Sequence, residues 1–402
     1  MKILVLNSGS SSQKSCVYEI GEALPDSPPF AIWEGKIEWD ADRAALRVHD
    51  SAGHEQSETL QSAERMEATR HLLAALTSGP CRILKDQAEI AVVGHRIVNG
   101  GAKYAKPAAI TPDLKKTIEE MEVFAPLHNR AGLEGIRFIE EAFAGVRQVA
   151  VFDTGFHRQI PDAAAIYPGP FEWVERGIRR YGFHGINHQY CMERAAQLLG
   201  RKVDELRIVS CHLGNGCSLA AIRDGHSVDT TMGFTPLEGL MMGTRSGSVD
   251  PGILTFLLRE EQPTGAQLDE LLNKMSGLLG ISGVSSDMRQ IVEAMKQGNT
   301  RAKLAFDIFV HRLRAGIAAM AASIGGMDAL VFTAGIGENS PDVRAAACAN
   351  LGFLGVTLDA AKNQTSRGDE GISTSESKVR VLVLRAQEDW AIAKECWDLS
   401  RD

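Results

Sequence analysis

No two cysteines in this 402-residue chain form a CxxC motif, and the seven present, Cys16, Cys81, Cys191, Cys211, Cys217, Cys348 and Cys396, are an odd number. That excludes a tidy disulfide framework and a thiolate zinc site, and it predicts reduced, mostly buried thiols in a cytoplasmic protein. An HExxH or similarly spaced metal-ligand set is also missing, which disfavours a zinc hydrolase. Long apolar runs are lacking. The stretch Ile3-Leu4-Val5-Leu6 stops at Asn7, too short for a signal-peptide core. The nearest approach to a membrane span, Ala315 to Phe332, is flanked by Arg314 and broken by Gly325, Gly326 and Asp328. A packed helix followed by a strand is the expectation there. Positive charge is in deficit: 43 Lys and Arg against 51 Asp and Glu give a net charge of -8. A general nucleic-acid binder needs a basic face, so that class is excluded, and any anionic ligand must be held by local arginines and backbone amides. The remaining composition, 44% hydrophobic and 23% charged, is that of a globular protein rather than a disordered, collagenous or coiled-coil chain. The length suggests two domains and allows a third.

What is present is an alternation of strands and helices. Lys2–Leu6 reads as a strand, followed by a polar turn from Asn7 to Lys14 and a second strand, Cys16–Ile20. Ala31–Trp39, Ala44–His49, Ala88–Val98 and Val149–Phe152 read as further strands, with helices over 61–76, 113–124 and 130–143. The second half repeats the opening. Strand Arg207–Leu213, turn Gly214-Asn215-Gly216 and strand Cys217–Ile222 restate it about two hundred residues later, which suggests two related domains. A third strand-to-glycine junction follows, where strand Ala329–Thr333 runs into the turn Ala334-Gly335-Ile336-Gly337-Glu338-Asn339. A polar loop over 363–377, strand Val379–Leu384 and a helix near 388–399 close the chain. The alternation argues for α/β layers.

Glycine and serine turns directly after buried strands are phosphate-binding material, because successive backbone amides can approach an anion closely. Ser10 and Ser12 add hydroxyl donors and Lys14 adds charge. The opening is no Walker loop, since GxxxxGK[ST] is absent from it. Arg96 at a strand end and Arg245 in a glycine-rich loop can clamp a transferring phosphoryl group, although either alone suits a loop ion pair as well. Asp153 closes a buried strand and can position water or move a proton, or simply cap the next helix. His128, His184 and His212 each stand beside such loops, where a lone histidine is commonly structural.

The motifs Asn7-x-Gly9-Ser10-Ser11-Ser12-x-Lys14, Arg179-Arg180-Tyr181-Gly182-Phe183-His184-Gly185, Cys211-His212-Leu213-Gly214-Asn215-Gly216, Met242-Gly243-Thr244-Arg245-Ser246-Gly247, Ser285-Ser286-Asp287-Met288-Arg289 and Phe332 to Ser340 resemble, in this order, those of acetate and propionate kinases. The resemblance implies an α/β fold of two duplicated ribonuclease-H-like domains, as in the acetate and sugar kinase, heat-shock chaperone and actin superfamily, with the active site in the interdomain cleft. One domain would comprise 1–153 plus 388–402. The other, 154–387, would carry the nucleotide and a homodimer contact.

The implied reaction is reversible, magnesium-dependent transfer of a phosphoryl group from ATP to acetate, giving acetyl phosphate and ADP by in-line attack of the carboxylate. The resemblance assigns Asn7 and Glu388 to Mg2+ (or Mn2+). It assigns Ser10, Ser12, Lys14, His212, Leu213, Gly214, Asn215, Gly216, Asp287, Met288, Arg289, Gly335, Ile336, Gly337, Glu338 and Asn339 to the nucleotide. Arg96, Val98, Leu127, His128, Phe183 and Pro236 would bind the acid, and Asp153, His184, Arg245 and Arg96 would be catalytic. The implied partners are small molecules and a second copy of the chain, with no nucleic acid and no membrane.

A carboxylate acceptor is already ionised at neutral pH, so it needs relief from charge repulsion rather than a strong base. Asp153 is therefore expected to act through magnesium, water or arginine positioning. The chain departs from the family pattern at Asn99, Arg130, Ile186-Asn187, Ser248 and Ala386-Gln387. The alternatives are a propionate or other short-chain fatty acid kinase and, more remotely, an actin-like or chaperone-like ATPase.

Overall fold

The computed structural model describes the chain except residues 10, 11, 41, 102, 124, 125 and 402 and the side chains of 123 and 126–128. It forms two compact units, Met1–Gly155 with Gln387–Asp402, and Phe156–Ala386.

The first unit is built on strands β1 (Lys2–Ser8), β2 (Ser12–Glu19), β3 (Trp33–Asp40), β4 (Arg43–Asp50), β5 (Glu55–Leu60), β6 (Ile90–Ile97), β7 (Ala108–Ala109) and β8 (Arg147–Phe152), in the order β5-β4-β3-β2-β1-β6-β8-β7. Alternation within β1 sends Leu4 and Leu6 to one face, where they pack with Val17, Trp33, Ile37, Leu72 and Phe138. The opposite face meets the terminal helix Glu388–Leu399. There β6 needs Gly94, since a Cβ would stand 2.6 Å from both Cys396 Sγ and Ile392 Cγ2.

The second unit has β9 (Ile208–Leu213), β10 (Cys217–Arg223), β11 (His226–Thr230), β12 (Ala329–Thr333), β13 (Glu370–Gly371) and β14 (Arg380–Val383), in the order β11-β10-β9-β12-β14-β13. The helix Thr300–Ser323 lies against β10, and a Cβ on its Gly316 would come within 2.7 Å of Leu219. The runs β3-β2-β1-β6-β8 and β11-β10-β9-β12-β14 have the same plan: an antiparallel trio, then two strands parallel to its last member. This is the duplication that the sequence announces.

Four differences from the sequence reading have physical causes. Strand β2 begins at Ser12, so Gln13 and Lys14 lie on a strand rather than in a turn. Lys14 pairs with Asn7, and buried Gln13 Oε1 accepts from Ser8 Oγ at 3.1 Å, so polar residues carry the ladder. Residues Ala334–Asn339 form a short helix instead of a turn, and the polar stretch 363–377 contains the end of the helix Ala360–Thr365 and all of β13. Edge strands β5, β7, β11 and β13 escape the reading because edge positions are short or half-exposed and carry little apolar alternation. All seven cysteines are buried and none forms a disulfide.

Candidate active site

In the first unit, three neighbouring parallel strands end together. Asn7 lies one residue before the end of β1, Arg96 one residue before the end of β6, and Asp153 directly after β8. The carboxyl ends of parallel strands are where α/β sheets present ligand-binding groups. Arg96 donates from both Nε (3.1 Å) and Nη2 to Asp153 Oδ2, and from Nη1 to Asn7 Oδ1 at 3.3 Å. Asn7 Nδ2 in turn donates to Glu388 Oε2 (3.3 Å) and Asp389 Oδ1 (2.8 Å) at the start of the terminal helix. Burial pulls the Arg96 pKa down, but Asp153, Glu388 and Asp389 together outweigh it and the net direction is up.

Asp389 is a member of this group that the sequence reading passed over. Burial raises its pKa, opposed by Lys14 and by the Asn7 amide, while the Asp389 carboxylate raises the Lys14 ammonium. The signal that could have found it is its place beside Glu388 in the first turn of a helix. Val98 is buried just beyond β6. Ser10 and the side chains of Leu127 and His128 lie outside the described residues.

The oxygens of Asn7, Glu388 and Asp389 are hard donors suited to magnesium. No cluster of three His, Cys, Asp or Glu side chains able to hold a metal occurs among the described residues. A sparse set of one or two carboxylates fits Mg2+, which keeps waters and shares substrate phosphates, and does not fit zinc.

In the second unit the Gly214-Asn215-Gly216 turn joins β9 to β10, and Gly243 N donates to Asn215 O at 3.0 Å, tying the arginine loop to it. A Cβ on Gly216 would stand 3.4 Å from His184 Cε1 and 3.5 Å from Arg245 Nη1, so His184 and Arg245 converge on this turn. Arg245 is half-buried. Its Nη1 donates to Pro236 O (3.1 Å), and no carboxylate pairs with it among the described residues. Burial lowers its pKa, with only partial opposition from Cys217.

His184 precedes the helix Gly185–Leu199 in the left-handed region (φ 57°), an uncommon conformation for a non-glycine residue that functional sites tolerate. Its Nδ1 is hydrogen-bonded to Ser218 Oγ at 2.9 Å, and its ring stacks on His212 at 3.9 Å. Buried His188 lies between Ser210 Oγ and Ser218 Oγ, 2.9 Å from each. Phe183 is fully buried, and its carbonyl accepts from His157 Nε2 at 3.0 Å.

A cavity of about 640 Å³ opens beside the turn, roomy enough for a nucleotide. It gathers Gly214, Asn215, Asp287, Met288, Arg289, Gly335, Ile336 and Asn339 from three separate segments. His212, Leu213, Gly216, Gly337 and Glu338 do not line it. Leu213 is buried in the sheet, Gly337 packs on the Phe332 backbone, and Glu338 Oε1 accepts from Ala386 N at 2.8 Å. Arg344, unflagged by any motif, is fully buried. It donates to Gly337 O (2.8 Å), Glu338 O (2.7 Å), Asn363 Oδ1 (2.8 Å) and Asn363 O (2.7 Å), anchoring the end of the short helix.

Residues 2–394 match the model of the acetokinase family. Acetate kinases of Nostoc punctiforme and Trichormus variabilis are 58% and 57% identical, covering 100% of both chains in the first case and 99% of both in the second. The crystal structure of Porphyromonas gingivalis acetate kinase has a TM-score of 0.91 at 41% identity, and that of a propionate kinase from Francisella tularensis 0.90 at 36%, each covering 99% of both chains. The doubled strand plan, the convergent arginine and histidine, and the full-length likeness lead to one assignment: the chain belongs to the acetokinase family.

Proposed function

We propose that the protein is an ATP:acetate phosphotransferase, interconverting ATP and acetate with ADP and acetyl phosphate. The observation that carries the reading is Arg245, a half-buried guanidinium that meets His184 at a glycine turn and has no carboxylate partner among the described residues. A partly buried cation without a carboxylate partner is costly unless an anion answers it, and a phosphoryl group in transfer is such an anion.

The acceptor carboxylate attacks the γ-phosphorus in line as the bond to the ADP oxygen lengthens. No proton need leave the acceptor, which is ionised at neutral pH. The barrier is charge: an anion must approach a polyanion. Arg245 and His184 stabilise the equatorial phosphoryl oxygens, and Arg96 holds the acid. Asp153 fixes the Arg96 fork. The cavity at Asn215, Asp287–Arg289, Gly335, Ile336 and Asn339 takes the nucleotide, and the family's motifs assign Ser12, Lys14 and the 212–216 segment to it as well. Asn7 and Glu388, with Asp389 beside them, would hold Mg2+ or Mn2+, which neutralises phosphate charge when bound.

We read the two compact units as the two ribonuclease-H-like domains. Val98, Leu127, His128, Phe183 and Pro236 are proposed as acid-binding residues on the strength of the family's motifs alone. An apolar lining discriminates by about 1–3 kcal/mol per methylene, so propionate should react as well. A hydroxamate assay with ATP, Mg2+ and short fatty acids tests this. Acetate and propionate should give acyl phosphate, with longer acids falling off. Butyrate exceeding acetate in kcat/KM, or no acyl phosphate at all, would overturn the reading.

The buried thiols, none of them in a disulfide, support a cytoplasmic setting. Exposed Ile253, Phe256 and Leu258 on the helix Pro251–Glu260, with Met275 and Leu304, support a homodimer through the second unit. Sedimentation equilibrium would show a dimer that Phe256→Glu weakens.

A further inference from the structure

We propose that Asn187 sets the tautomer of His212, so that His212 offers a neutral Nε2–H to a nucleotide phosphate at the Gly214–Gly216 turn. Asn187 is one of the positions where the chain departs from the family motif. It is fully buried on the helix Gly185–Leu199, and its Nδ2 lies 2.9 Å from His212 Nδ1. With the amide in this orientation its nitrogen donates and His212 Nδ1 accepts, which places the proton of a neutral ring on Nε2. That nitrogen faces the turn: it lies 3.8 Å from where a Cβ on Gly214 would be.

The register fixes the ring further. His212 lies one residue before the end of β9, between Ser218 of β10 and Thr333 of β12, and its face is stacked on His184 at 3.9 Å with an interplanar angle of 14°. Two stacked imidazolium ions would repel, so a donor that needs no charge suits this place. Asn187 Oδ1 is buried with no hydrogen-bond partner among the described residues; an amide turned the other way would accept from Nδ1–H, which is the tautomer that the experiment below distinguishes. Asn187 is thus a positioning residue acting through His212.

The inference rests on the nucleotide reading above for what Nε2–H meets, while the tautomer itself does not depend on it. The test is a two-bond proton–nitrogen correlation spectrum of the full chain labelled at histidine nitrogens, with His212 assigned by the signal lost in His212→Gln. The wild type should show a protonated Nε2 and a bare Nδ1. In Asn187→Leu, which keeps the volume without the donor, the Nδ1-protonated form should appear. The KM for ATP should rise about tenfold, the size of one hydrogen bond to a charged group, with kcat within about twofold. Asn187→Ser, which restores a donor, should recover the tautomer and much of the KM. A wild-type His212 protonated on Nδ1 overturns the proposal. So does an Asn187→Leu protein with unchanged tautomer and unchanged KM. A wild type with the stated tautomer but no ATP turnover would instead overturn the nucleotide reading.

Discussion

Asp153 holds Arg96 through a single oxygen: Oδ2 accepts from both Nε and Nη2 of the guanidinium, while Asp153 itself is almost wholly buried. The carboxylate is thereby committed to orienting the arginine, which agrees with an acceptor acid that needs no deprotonation. Asp153→Asn keeps the shape but removes the counter-charge, and is expected to lower kcat about a hundredfold or more, measured by acyl hydroxamate formation. Near-complete retention of turnover would exclude both positioning and proton transfer as roles for this residue.

The two arginines should differ in what their loss does to stability. Removing Arg96 strands Asp153 as a buried charge, and Arg96→Met is expected to destabilise its unit by about 3 kcal/mol as well as abolish turnover. Arg245 leaves no carboxylate behind. Arg245→Met should lower kcat about a thousandfold yet leave the unfolding midpoint unchanged or higher. Thermal unfolding of the two variants beside their rates would separate these effects, and a large drop in midpoint for Arg245→Met would contradict the view that its charge is uncompensated.

Arg344 makes the opposite prediction, a structural cost transmitted to binding. Arg344→Met orphans the carbonyls of Gly337, Glu338 and Asn363. A loss of about 3 kcal/mol is expected in urea unfolding, from buried acceptors left unpaired. The KM for ATP should rise with it, because Gly335, Ile336 and Asn339 line the cavity. A variant of wild-type stability would show that those carbonyls find other donors.

Acid should weaken both units through buried histidines. Burial pushes His95 and His157 down to about 4, from an ordinary value of 6.5, and pushes His188 well down. The unfolded chain therefore binds protons below pH 6.5 that the folded chain refuses. Stability is complete above pH 6.5 and is lost as pH falls toward 4, by about 1.4 kcal/mol per pH unit for each histidine. Urea midpoints between pH 7 and 5 would read the slope, and His95→Gln should flatten it by about one proton in the first unit. An unaltered slope would mean that His95 charges without penalty.

Much of this was readable from residue order. Short β-branched runs ending in glycine, serine or a lone charged residue marked the central strands, because a buried strand leaves a composition signature and its polar end is where a ligand can reach it. The motifs located Asn7, His184 and Arg245, and the strand ends Arg96 and Asp153, for the same reason, whereas Glu388 came from the family resemblance alone. Edge strands β5, β7 and β13 left no such trace, since little of their surface is buried.

Asp389, Arg344 and Asn187 belong to another class. Asp389 meets Asn7 across 382 residues of chain, Arg344 meets Asn363 across 19, and Asn187 meets His212 across 25. A single polar side chain bonded to a distant partner creates no periodicity and no local composition bias, so its role exists only once the sheets have brought the two ends together. Residue order was therefore enough to assign the family and the chemistry. Folding alone chose which buried polar groups steer the arginines and histidines, because that choice depends on distances of a few ångströms between segments the chain keeps far apart.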